Sequence, residues 1–197
     1  MLVSSLRASP RASPKPAAAA AKTRVRATPA CALLRHAPME GVRLRAAQIA
    51  DIPSIMAIEA RCFRSDRASA RGLVGLIRNG RAVVLVATRN AEVLGYVGVQ
   101  FRADSDCARI YSIALKREAR GLGLGRLLMR AAERQARRRG CTRMRLEVRL
   151  SNRRALGLYR ALGYATLTAL PAYYSDGGDA LRMEKPLGKS PRAPRGR

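Results

Sequence analysis

Tryptophan is absent, phenylalanine occurs twice and tyrosine six times, so aromatic residues make up 4% of the 197 positions. Modules that read unpaired RNA bases stack them on aromatic side chains, and the sequence contains no such motif. Histidine is nearly missing as well, with His36 alone. The four cysteines, Cys31, Cys62, Cys107 and Cys141, include no C-x-x-C pair. These shortages argue against a zinc site and a disulfide framework, and fit isolated thiols in a reducing compartment. No metal is expected. No apolar run approaches the ~20 residues that a membrane-spanning helix needs. Acidic residues are scarce: 13 Asp and Glu stand against 39 Lys and Arg, a formal net charge of +26. Such a charge favours anionic partners, whether a polyphosphate cofactor, RNA, a ribosome or an acidic peptide. Nearly all of it is arginine, as a compositional bias would also produce.

What is present divides into three parts. Residues 1–38 are rich in Ala, Ser, Pro and Arg and contain no acidic residue. This basic extension is too poor in large apolar side chains to order itself. It reads as a disordered tail, as an organellar transit peptide, or as sequence before a true start at Met39. The expected location is cytoplasmic, or mitochondrial or plastid if the transit reading holds. Residues 188–197 read as a second disordered basic tail. Residues 39–187 are one domain with room for a core.

Within that domain strands and helices alternate by hydrophobic period. Strands are expected at 42–47, 81–88, 93–101, 107–115, 143–150, 164–170 and 180–186, with a turn at Asn90. Helices are expected at 51–63, 69–79, 124–139 and from the cap at Ser151 and Asn152 to Leu162. The first helix presents Ile52, Ile55, Met56 and Phe63 as its apolar face. The third turns Leu124, Leu127, Leu128, Ala131 and Ala132 inward and Arg126, Arg130, Arg134 and Arg137 outward. Gln135 interrupts that stripe, so its last turn should leave the core. The run Arg137-Arg138-Arg139 reads as a solvated helix end. The order implies an α/β sheet with helices on both faces.

Residues 120–125 read Arg-Gly-Leu-Gly-Leu-Gly and connect a strand to a helix. Glycines let backbone approach a ligand closely, and a helix N-terminus attracts anions. A Walker loop would need Gly-Lys-Ser/Thr, but Arg126 and Leu127 follow Gly125. A dinucleotide fingerprint would need a third glycine where Arg126 stands. Two readings remain: a tight strand-to-helix connection, and an R-x-x-G-x-G diphosphate loop.

The surrounding residues favour the second. Ile113-Ala114-Leu115 precedes the loop. Leu146 to Asn152 reads Leu-Glu-Val-Arg-Leu-Ser-Asn. Ala155-Leu156-Gly157-Leu158-Tyr159 and Leu162-Gly163-Tyr164 follow, then Tyr173-Tyr174 and Asp179-Ala180 with Met183. In these pieces, over about residues 41–187, the chain resembles the GNAT superfamily of N-acetyltransferases, and within it the ribosomal-protein-alanine N-acetyltransferase branch. The resemblance implies a mixed, mostly antiparallel central sheet with helices on both faces. It implies acetyl-CoA as co-substrate, bound by Ile113, Ala114, Leu115, Arg120, Gly121, Leu122, Gly123, Leu124, Gly125, Arg126 and Asn152. It implies transfer to a primary amine, such as a ribosomal or other protein N-terminus. The stretch Cys62 to Arg67 lacks the proline and tryptophan of relatives acting on N-termini. The acceptor half is therefore the weaker match, and Arg64 and Arg67 would suit an acceptor with nearby negative charge.

Amine transfer needs a group to take a proton and one to give a proton to the departing thiolate. Glu147 is the candidate base, on the same strand face as Arg145 and Arg149. A cross-strand ion pair with arginine is the alternative role. Tyr159, two turns after Asn152 on one helix face, is the candidate acid, or else a core tyrosine. Tyr173 and Tyr174 are candidates for the acceptor channel. A basic CoA-binding module without turnover, associated with RNA or the ribosome, and a small-molecule amine acetyltransferase are the competing functions.

Overall fold

The computed structural model describes residues 40–63, 66–78 and 80–188. The extension at 1–38, nearly all of the tail at 188–197, and the residues Cys31, His36, Met39 and Arg64 lie outside these. Strands β1 (Arg43–Ala46), β2 (Ala82–Arg89), β3 (Glu92–Gln100), β4 (Cys107–Leu115), β5 (Arg143–Arg149), β6 (Ala165–Leu170) and β7 (Ala180–Pro186) form one sheet in the order β1-β2-β3-β4-β5-β7-β6. Every neighbouring pair is antiparallel except β4 with β5. The helices are α1 (Ile52–Cys62), α2 (Ala70–Arg78), α3 (Leu124–Arg138) and α4 (Arg153–Ala161).

Local chemistry accounts for the ends of these elements. Asn90 and Ala91, both at positive φ, make the two-residue turn between β2 and β3, the geometry that matches strand twist. Asp51 accepts from the Gln48 N–H at 2.7 Å and takes both arms of Arg45 at 2.6 and 2.7 Å. Pro53 follows in the first turn of α1, where a missing N–H is harmless. Asn152 caps α4 by accepting from the Ala155 N–H at 3.1 Å.

The strand pleat builds two cores. Val84, Val86 and Tyr96 face Ile55, Ile58 and Leu73 of α1 and α2. Leu85, Ala87, Val97 and Val99 face Leu128, Met129 and Ala132 of α3, together with Leu156 and Tyr159 of α4. Ile58 joins the inner face of α1, where Met56 and Phe63 pack half-buried as expected, and Glu59 is buried beside it. One expectation needs correction. The last turn of α3 does not leave the core: Ala136 is fully buried and Gln135 half-buried. The stripe survives because Glu133, also inward, has its charge met by Lys185 at 2.8 Å.

The parallel pair positions the site. β4 and β5 pair only over Cys107–Arg109 and Arg143–Arg145. Beyond that point β4 carries a bulge at Tyr111, since Gly98 pairs with Ser112 and Val99 with Ile110. A bulge bends its strand and sharpens the twist. The two strands diverge, and the second half of β4 keeps β3 on one side and faces a gap on the other.

Candidate active site

The gap opens into a cleft of about 700 Å³, walled by β4, β5, α4, the end of α1 and the loop before β7. On the β4 side, the Lys116 N–H bonds to the Leu94 carbonyl across β3. Antiparallel ladders alternate, so Ala114 also bonds toward β3 while Ile113 and Leu115 turn their backbone groups to the gap. The Leu115 carbonyl is engaged there by Cys62 Sγ at 3.3 Å and by Arg120 at 3.5 Å. The Ile113 amide and carbonyl and the Leu115 N–H remain as a short edge that a ligand amide can pair with.

Just past β4, Gly121 and Gly123 stand at φ +81° and +82°, and a Cβ at either would meet nothing within 4 Å. The chain thus adopts a left-handed conformation around open space, the shape of a cradle for a ligand. Gly123 is the N-cap of α3 and no side chain caps that terminus. The N–H groups of the first turn therefore lack intrahelical acceptors and face outward with the positive end of the dipole. A diphosphate fits this donor set. Gly125 has a different role: a Cβ there would lie 3.1 Å from Leu158, so the missing side chain lets α3 pack on α4. The Arg120 guanidinium is turned inward to Cys62 Sγ at 3.1 Å, bracing the loop against α1. Leu124 is buried in the core, and Leu122 borders a smaller hollow of about 310 Å³. Arg126 is exposed on the first turn of α3.

Glu147 and Tyr159 both line the cleft. Glu147 sits on β5 with its side chain only 6% exposed, and each oxygen accepts from an arginine: Arg109 Nε of β4 and Arg182 Nε of β7, both at 2.9 Å. Its partners are thus arginines of neighbouring strands, as in the alternative reading, and not the same-strand Arg145 and Arg149. Arg145 pairs with Glu184 and Arg149 with Asp176. Cross-strand register decides this, because Glu147 stands opposite Arg182. Burial of Arg109 opposes its charge. The neighbouring Glu147 carboxylate and the hydrogen bonds to Glu147 and Tyr173 outweigh this, so its pKa lies above the usual arginine value. Tyr159 stacks edge-on to Tyr164 at 5.9 Å. Burial pushes its phenol well above the ordinary tyrosine pKa, with a smaller push from Tyr174, so the proton stays on through neutral pH.

At the mouth, the Tyr173 hydroxyl accepts from Arg109 at 2.9 Å, and Tyr174 lies under the Arg149 guanidinium at 4.1 Å. The two rings meet edge-on at 5.2 Å. Asp66, from the segment after α1, accepts from the Ser175 N–H and hydroxyl, so two loops 109 residues apart join over the cleft. Arg67 bonds to the Phe63 carbonyl at 2.8 Å.

One charged group beside the cleft was missed from sequence. Glu59, fully buried on α1, accepts from Tyr96 at 2.6 Å, Ser112 at 2.9 Å and the Ala68 N–H at 2.7 Å. It ties β3, β4 and the segment after α1 together beneath the cleft. No motif marks it, since its partners lie 9 to 53 residues away. Among the described residues, no cluster of three His, Cys, Asp or Glu side chains could hold a metal ion. No described helix is long and apolar enough to cross a membrane.

Comparison with known proteins agrees with this geometry. The sequence model of the acetyltransferase (GNAT) family matches residues 52–164. A candidate ribosomal protein bS18-alanine N-acetyltransferase of Bacillus subtilis is 36% identical over 141 residues, covering 71% of this chain and 92% of that protein. Streptothricin acetyltransferase of Streptomyces lavendulae is 34% identical over 119 residues, 58% of this chain and 62% of that one. The crystal structure of the ribosomal-protein-S18-alanine N-acetyltransferase from Escherichia coli superposes with a TM-score of 0.67 at 27% identity, covering 76% of this chain and 96% of that one. A parted β4–β5 pair, a glycine cradle at a helix start and an extended match to acetyltransferases lead to one assignment: the chain is an N-acetyltransferase of the GNAT family, which uses acetyl-CoA.

Proposed function

We propose that the acceptor is the α-amine of a protein N-terminus, a ribosomal protein among the candidates, acetylated by direct transfer while both substrates occupy the cleft. The observation that carries this reading is the placement of Glu147 and Tyr159 in one cleft, with Tyr173 and Tyr174 at its mouth. Bound acetyl-CoA supplies an acyl group on a thioester. In this reading the amides of Gly121 through Arg126 hold its diphosphate, while the edge at Ile113 and Leu115 orients its amide-bearing arm. The side-chain amide of Asn152, whose oxygen caps α4, presents its NH₂ toward the same arm. Glu147 receives the proton that the amine must lose, directly or through one water. Tyr159 gives its phenolic proton to the sulfur as the C–S bond breaks and the N–C bond forms. An α-amine near pKa ~8 is easier to deprotonate than a lysine near ~10.4. Tyr173, held by Arg109, and Tyr174, held by Arg149, flank a peptide's first residues.

The resemblance to a bS18-alanine enzyme supports a protein acceptor, and the resemblance to a streptothricin enzyme supplies the competing small amine. Thiol release from acetyl-CoA distinguishes them. The substrates are an alanine-initiated peptide, the same peptide with its α-amine blocked and a lysine free, and streptothricin. Turnover confined to the free α-amine is expected. Preference for streptothricin or for lysine overturns the acceptor assignment. Full activity in Glu147→Gln removes that residue from the mechanism.

A further inference from the structure

Helix α3 carries arginine at every fourth position: Arg126, Arg130, Arg134 and Arg138. These four are the only exposed residues of the helix. A spacing of four at 1.5 Å per residue sets them ~6 Å apart along ~18 Å of a slowly turning line. Like charges at i,i+4 weaken a helix. The one acidic residue of α3, Glu133, is buried on the other side and bonded to Lys185, so it does not offset them. Of the three arginines expected to form a solvated end, Arg138 and Arg139 are exposed and Arg137 is half-buried. Arg137 donates to the Leu187 carbonyl at 2.7 Å, and Arg139 stacks over Phe101 at 4.4 Å. Only Arg138 of that run belongs to the outward line.

We propose that this line is a docking surface for the sugar–phosphate backbone of RNA. Guanidinium forks pair bidentately with phosphate oxygens. An evenly spaced row of them complements a polymer carrying one charge per monomer better than it does scattered carboxylates. A membrane-surface helix would place Trp, Phe or Leu beside its cations, and α3 exposes no apolar residue. Backbone contact carries no sequence information, so it needs none of the aromatic platforms that the chain lacks. The line runs along the outer side of α3, on the sheet face opposite α1 and α2. Arg126 also belongs to the cofactor loop, so the other three residues carry the test.

Fluorescence anisotropy on the full chain with a labelled 20-nucleotide RNA compares three proteins. They are the unmodified chain, the triple variant Arg130→Gln, Arg134→Gln, Arg138→Gln, and a control triple, Arg43→Gln, Arg71→Gln, Arg78→Gln. The control removes the same charge from exposed positions on β1 and α2. The α3 triple is expected to lose at least ~10-fold in affinity and to flatten the slope of log K against log salt by about 2 to 3. The control should lose less than ~3-fold. Peptide acetylation should be unchanged in both, which separates this proposal from the catalytic one. Equal losses in the two triples would assign the affinity to net charge and overturn the proposal. Tighter binding to polyglutamate or to anionic vesicles than to RNA would overturn it as well.

Discussion

Tyr159 owes its chemical character to where its hydroxyl is held. Burial, with a smaller push from Tyr174, raises the cost of the phenolate, so the phenol keeps its proton, as the proposed acid role requires. Tyr159→Phe deletes one oxygen and leaves the packing intact. It is expected to lower kcat by about 100-fold with CoA affinity nearly unchanged, as read by steady-state kinetics and calorimetry. For the same reason, kcat of the unmodified enzyme should not fall between pH 8 and 10. Loss of activity across that range would show a phenol titrating near its ordinary value. Glu147 and Tyr159, which both line the cleft, could be singled out because each sits in a short local motif. The arginines that grip Glu147 could not, because Arg109 and Arg182 lie 38 and 35 residues away. Glu59 was illegible for a related reason. A charged residue on an amphipathic helix usually faces water, and only tertiary donors make an inward carboxylate tolerable.

Among the elements, the loop entering α3 and the junction entering α1 show two ways of starting a helix. The first leaves its N–H groups open and uses glycine at φ +82° to do so. Gly123→Ala forces an L-residue into the left-handed region, which costs about 1 kcal/mol and lowers Tm by about 2–4 °C. CoA affinity should fall by more than this stability loss explains, because the new methyl enters the cradle. Unchanged CoA binding by calorimetry would remove that loop from the site. At the second junction Asp51, the N-cap of α1, bonds back to the Gln48 N–H and to Arg45 rather than to the helix amides. The Arg45 hydrogen bonds, aided by the Gln48 N–H and opposed by burial, hold its carboxyl below the usual value. A depressed folded-state pKa contributes stability that is present above the unfolded value, near ~3.9, and lost as pH falls through the folded one. Asp51→Asn weakens the charge-assisted bonds to Arg45 and should therefore cost about 1 kcal/mol at pH 7. The gap in melting temperature should close progressively below pH ~4. A gap that persists undiminished at pH 2 would refute the charge-based account.

For the whole molecule, the decisive event is a parallel pair that ends after three residues. β4 and β5 hold together at one end, through Asp106 with Arg143 at 2.7 Å, and part at the other to make the cleft. Lys185 of β7 and Glu133 of α3 form a partly buried bond between the helix layer and the sheet beyond the cleft. Removing the carboxylate loses a charge-assisted bond: Glu133→Gln should destabilise by about 1.5 kcal/mol in urea unfolding. The double variant Glu133→Met, Lys185→Met should recover much of that loss, and failure to do so would mean that geometry rather than charge sets the cost. Element order and type, and the glycine loop with its neighbouring motifs, were determined by the sequence alone. Hydrophobic period, caps and turn residues act within a few positions. Two features waited on tertiary structure: which strands part, and which arginines hold Glu147. Each depends on register between segments tens of residues apart, where the chain's local pattern carries no information about the partner.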